Sequence, residues 1–158
     1  MVRVYDRLYI GNETSCQQGT DELAVIHACK TPCHQRAVGY RGSLPSIHEN
    51  YLFLRRPFDL YLNIIDPPKP LFKIETFVQF LLFASENYNR GSSLLIHCNQ
   101  GESRAPSLAL LFLSKGLGAI PSDSFAAART AFIPLYGGYR PGVGIQQFLD
   151  QNWASIQA

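Results

Sequence analysis

Leu94-Leu95-Ile96-His97-Cys98-Asn99-Gln100-Gly101-Glu102-Ser103-Arg104-Ala105-Pro106-Ser107 is the stretch from which the rest of the chain can be read. It begins as a short apolar run after the turn residues Gly91-Ser92-Ser93, passes through a polar segment and enters an apolar run of helical length. The pattern is strand, loop, helix. A loop curled between a strand end and a helix start points successive backbone N–H groups inward, and the helix dipole adds positive potential, so the site suits an anion. Gly101 lets the backbone turn where a Cβ would collide. Arg104 offers a planar fork of donors that binds two oxygens of one phosphate. Cys98, at the base of the same field, is favoured as thiolate over thiol. Asn99, Gln100, Gly101, Glu102, Ser103 and Arg104 are therefore the expected anion-binding residues, mainly through their backbone. Pro106 is compatible with the first helical turn, and Ser103 is the expected N-cap.

Outward from this segment, β-rich runs occur at Val4 to Ile10, Leu23 to Cys29, Tyr51 to Phe58 and Leu60 to Ile65. Between Leu71 and Tyr88, Ile74, Phe77, Val78, Leu81 and Ala84 recur at helical spacing, behind a loop containing Pro67, Pro68 and Pro70. Arg104 to Lys115 is apolar nearly all round and reads as a buried helix, ended by Gly116 and Gly118. Ser122 to Phe132 and Ile145 to Ile156 are two more helices, separated by the loop Pro134 to Gly144. Strands and helices in this order predict one α/β domain over residues 1–158, with a central, mixed but mostly parallel sheet and helices on both faces. Thr31 to Glu49 is polar and rich in turn residues, and reads as a long surface loop.

Composition narrows the partners. The 158 residues are 46% hydrophobic and 16% charged, enough for one core and short of two domains. Fourteen Lys and Arg against 12 Asp and Glu give a net charge of +2, too little for a broad basic face toward nucleic acid or an anionic membrane. The longest apolar stretch, Leu108 to Leu113, is far below the roughly 20 residues of a membrane helix. Cysteines stand at 16, 29, 33 and 98, the amino terminus carries no apolar signal core, and a reducing cytoplasmic setting is expected.

His-Cys-x-x-Gly-x-Ser-Arg, from His97 to Arg104, resembles the signature of the protein tyrosine phosphatase superfamily, and its Ser-Arg ending is similar to the atypical dual-specificity branch. The resemblance implies a general-acid Asp on a loop about thirty residues before the cysteine. Asp66 fits, since 98 − 66 = 32, and it opens Asp66-Pro67-Pro68-Lys69-Pro70; Asp59 is the competitor. Leu8-Tyr9-Ile10-Gly11-Asn12 and Arg140-Pro141-Gly142-Val143-Gly144-Ile145 extend the likeness toward both ends. The implied activity is hydrolysis of phosphotyrosine, and of phosphoserine or phosphothreonine, in a phosphorylated protein through a phosphocysteine intermediate, without metal or organic cofactor. Alternatives are a non-protein substrate such as a phosphoinositide or an RNA 5′ phosphate, and a slow phosphate-binding pseudophosphatase. The family also implies a supporting role for His97 in ordering the cysteine, and a reversible disulfide between Cys98 and Cys29 as a means of redox control.

Two features depart from simple expectation. Dual-specificity phosphatases usually carry Ser or Thr after the signature arginine, where the hydroxyl donates to the departing cysteine sulfur, and this chain has Ala105. His27, Cys29, Cys33 and His34 have the residue types of a zinc site. Because the first three would alternate along or just beyond one strand instead of forming a knuckle, no metal site is expected.

Overall fold

The computed structural model describes residues 1–158, and six of their segments pair into one sheet: β1 (Val2–Tyr5), β2 (Leu8–Gly11), β3 (Leu23–His27), β4 (Phe53–Arg55), β5 (Asp59–Leu62) and β6 (Ser93–His97), in the order β1-β2-β6-β3-β5-β4. The four central strands run parallel, and only the edge strands β1 and β4 are antiparallel to their neighbours. The mixed, mostly parallel sheet expected from the alternation of strands and helices is thus present. The run from Val4 to Ile10 forms the ends of two strands, because the chain reverses at Asp6-Arg7. Arg7 adopts a left-handed φ of 53°, and its guanidinium donates to the carbonyls of Tyr88 and Ser92 at 3.0 and 2.9 Å.

The helices are α1 (Gln35–Val38), α2 (Ile74–Asn89), α3 (Arg104–Leu111), α4 (Phe125–Phe132) and α5 (Val143–Asn152). After Leu111, α3 widens into a π-helical turn, Phe112–Gly116, which completes the expected buried helix. None of these helices is long and apolar enough to cross a membrane. Leu8, Ile10, Ala24, Ile26, Leu60, Leu62, Leu94 and Ile96 join Phe77, Phe80, Leu108, Phe112 and Phe148 in one buried core. A side chain of this size contributes about 1.5–3 kcal/mol on burial, so this face carries most of the hydrophobic stabilisation.

Alternation along the strands sends Val25, His27, Leu95 and His97 to the opposite face. That face is covered by the chain around residues 13–20, through contacts of Cys16 with His27 and of Gly19 with Asp59, and by the turn Lys30–His34 leading into α1. The stretch from Thr31 to Glu49 is therefore more than the expected surface loop. Its first part turns helically and buries Cys33 and His34. A polar ring can enter the interior here because both nitrogens are satisfied. Nε2 donates to the Asn50 carbonyl at 2.9 Å, and Nδ1 accepts from the Tyr40 hydroxyl at 2.7 Å.

Candidate active site

Strand β6 stops at His97 and α3 starts at Arg104, so residues 98–103 form a loop at the carboxyl ends of the parallel strands, where open α/β sheets place their ligands. Cys98 is buried, and the Gly101 N–H donates to its Sγ at 3.2 Å. Gly101 has φ 74°, and a Cβ there would lie 3.0 Å from the Gly11 carbonyl oxygen, so the turn requires glycine. The loop's carbonyls are tied outward. Asn99 O accepts from Glu13 N at 3.1 Å, Gly101 O from the Tyr136 hydroxyl at 2.7 Å, and Glu102 O from Arg140 N at 2.8 Å. The backbone N–H groups of Asn99, Gln100, Glu102 and Ser103 donate to no group of the protein.

Arg104 is held in place by two bonds. Nη1 donates to the Ile64 carbonyl at 3.1 Å and Nη2 to Asn99 Oδ1 at 2.8 Å, while the buried Nε has no partner. A guanidinium fixed at two corners with a third N–H unsatisfied, beside a row of unsatisfied amides, matches the oxygens of a phosphoryl group. Asn99 does more than the backbone role expected of it. Its Nδ2 also donates to the Thr31 carbonyl at 2.9 Å, so its side chain clamps Arg104 to the neighbouring segment. Glu102 pairs at 3.6 Å with the exposed Arg140, and Gln100 is exposed.

Asp66 lies against this loop. Ser103 Oγ donates to Asp66 Oδ1 at 3.0 Å and accepts from the Gly142 N–H at 2.8 Å. Ser103 therefore does not cap α3 with its side chain, as expected, because its hydroxyl is committed to the Asp66 loop. A Cβ on Gly142 would sit 2.5 Å from Asp66 Oδ1, so the carboxylate is packed against bare backbone. Asp59, the competitor, is buried elsewhere, accepting from His27 Nε2 at 2.8 Å and from Gly19 N at 2.9 Å.

His97 is fully buried, and its ring contacts another histidine: Nε2 lies 2.8 Å from His27 Nδ1, whereas Nδ1 has no partner. The contact follows from register, since β3 and β6 pair His27 with His97. Burial pushes His97 down to about 4, and the neighbouring His27 and Arg104 act in the same direction, so the ring is neutral. All four cysteines are free thiols. Cys29, buried just beyond the end of β3, has its pKa lowered chiefly by a thiol contact with Cys33. Cys16, His27, Cys33 and His97 present donor atoms all within 4.8 Å of one another. Of the four zinc-type residues noted in the sequence, only His27 and Cys33 belong to this group. His34 is engaged by Tyr40 and Asn50.

No model of a protein family matches the sequence, and no curated protein does. Solved structures match over nearly the whole chain. The human tyrosine phosphatase-like serine/threonine/tyrosine-interacting protein is 18% identical with a TM-score of 0.65, covering 98% of this chain and 95% of its own. DUSP15 is 20% identical with a TM-score of 0.67, covering 99% of this chain and 90% of its own. Human DUSP28 is 15% identical with a TM-score of 0.65, covering 99% and 94% respectively. At these identities the likeness is one of fold, and the fold is that of the dual-specificity phosphatases.

Proposed function

We propose that the protein is a cysteine-dependent phosphatase that removes phosphate from phosphotyrosine, and from phosphoserine or phosphothreonine, in protein substrates of the cytoplasm. The observation that carries this reading is the fixed Arg104, with its unsatisfied Nε, beside loop amides that donate to nothing else, all around Cys98. In the first step the Cys98 thiolate attacks phosphorus, Arg104 and the amides bind the equatorial oxygens, and Asp66 gives a proton to the leaving oxygen. In the second, Asp66 takes a proton from the water that attacks the phosphocysteine, and the thiolate departs with release of phosphate. Ser103 is the positioning residue for Asp66.

Glu102 at the rim opposes additional phosphates on a substrate, which disfavours phosphoinositides and RNA 5′ ends. The presence of Cys98, Arg104 and Asp66 together favours turnover over mere phosphate recognition, although Ala105 favours slow turnover. Hydrolysis of a chromogenic aryl phosphate tests the proposal. The expected result is activity abolished by vanadate and by Cys98→Ser, with the variant still binding vanadate. Near wild-type turnover by Cys98→Ser would overturn the phosphocysteine route, and vanadate binding by a wild-type protein without turnover would identify a recognition module.

A further inference from the structure

Behind the phosphate loop, on the sheet face away from the main core, four side chains with zinc chemistry converge from four separate parts of the chain. His27 and His97 are cross-strand neighbours at the ends of β3 and β6, Cys16 comes from the segment after β2, and Cys33 from the buried turn before α1. We propose that Cys16, His27, Cys33 and His97 form a tetrahedral binding site for Zn²⁺.

The spacing fits such an ion. With Zn–S of about 2.3 Å and Zn–N of about 2.0–2.1 Å, tetrahedral angles give roughly 3.8 Å between sulfurs, 3.6 Å from sulfur to nitrogen and 3.3 Å between nitrogens. Cys16 Sγ lies 3.9 Å from Cys33 Sγ and 3.7 Å from His27 Nδ1. The two imidazole nitrogens, His27 Nδ1 and His97 Nε2, are 2.8 Å apart and share a proton. That edge must open by roughly half an ångström for both nitrogens to turn their lone pairs to a metal.

The surroundings supply what a metal-binding histidine needs. His27 uses its other nitrogen, Nε2, to donate to the buried Asp59 carboxylate at 2.8 Å, which leaves Nδ1 with its lone pair toward the cluster. A carboxylate behind a histidine ligand fixes its tautomer and raises its basicity. Tyr61 stacks on the same ring, with centroids 4.2 Å apart and planes 5° from parallel, so the imidazole is held in orientation. Access exists as well, because Cys16, His27, Cys33 and Tyr61 line a surface cavity together with Arg36 and Arg56. Binding releases two thiol protons to solvent, and the ring proton of His97 moves to Nδ1. The resulting unit of Zn²⁺, two thiolates and two neutral imidazoles has no net charge, so its burial beside the sheet carries no Born penalty of an isolated ion.

The test uses the whole chain, reduced with a phosphine and stripped of metal, and titrated with Co²⁺ as a spectroscopic stand-in. One equivalent should produce the visible bands and thiolate charge-transfer of a tetrahedral site, Zn²⁺ should displace it, and Zn²⁺ should raise Tm. Cys16→Ser and Cys33→Ser should abolish the spectrum, and Asp59→Asn should weaken affinity by roughly 10–100-fold. Because Cys16 is exposed, its replacement does not threaten the fold. Cys98→Ser should bind cobalt as the wild type does. Absence of a tetrahedral spectrum, or a spectrum that survives Cys16→Ser and disappears in Cys98→Ser, would overturn the proposal. The spectrum is read without turnover, so its outcome is independent of whether the phosphatase reading holds.

Discussion

Under the proposed function, placing a hydroxyl at position 105 should accelerate turnover. In the second step of the proposed phosphocysteine route the Cys98 sulfur leaves as a thiolate, and its stabilisation depends on donors aimed at Sγ. The Gly101 N–H is one, at 3.2 Å. Neither of the two nearby serines is bonded to Sγ. Ser103 is committed between Gly142 and Asp66, and the Ser107 hydroxyl lies 2.8 Å from that of Tyr139. A hydrogen bond to a charged group contributes about 1.5–3 kcal/mol, which is roughly 10–150-fold in rate at about 1.4 kcal/mol per tenfold. The wild type should therefore form phosphocysteine faster than it breaks it down. Stopped-flow hydrolysis of an aryl phosphate should show a burst of phenol near one equivalent per site, followed by slow steady turnover. Ala105→Ser should raise the steady rate and leave the burst rate unchanged. Position 105 is fully buried, and a hydroxyl that misses the sulfur would cost about 1–3 kcal/mol, so thermal melting must accompany the kinetics. A folded Ala105→Ser variant with no gain, in an enzyme that shows no burst, would refute the reasoning.

Asp66→Asn should lower kcat by roughly 10²–10⁴-fold and remove the alkaline limb of the pH–rate profile, because the lost group must be protonated to act. The loss should shrink for good leaving groups, and the same behaviour in Asp59→Asn instead would reassign the acid. Gly142→Ala should show that leaving-group dependence in milder form, since its Cβ meets Asp66 at 2.5 Å, while vanadate affinity stays unchanged. Asn99→Ala should weaken vanadate binding by about tenfold, the weight of a bond of about 1.5 kcal/mol to a charged group, because Arg104 loses one of its two clamps; unchanged affinity would show that the Ile64 carbonyl alone holds the guanidinium.

What could be read directly from the chain is what is contiguous in it. Cys98, Gly101 and Arg104 lie within seven residues between a strand and a helix, so strand–loop–helix geometry is imposed locally, and the apolar periodicities mark the remaining elements. Asp66 is a candidate through the family resemblance and its spacing from the cysteine, and that its carboxylate meets Ser103 of the loop is visible only in the fold. The strand order was not, and much of the site's internal wiring depends on it. Pairing of β3 with β6 brings His27 against His97 across 70 residues, and a cluster with Cys16 and Cys33 can arise only once that register exists. Thr31 to Glu49 lies at the surface as expected except at Cys33 and His34, and the burial of His34 depends on partners at Tyr40 and Asn50 that composition does not disclose. Ser103 stands at the position of a helix cap, but a capping oxygen accepts from the first N–H groups of its helix, and this one accepts from the Gly142 N–H while its proton goes to Asp66. Only the approach of the Asp66 loop and of Gly142 in the tertiary structure decided those partners.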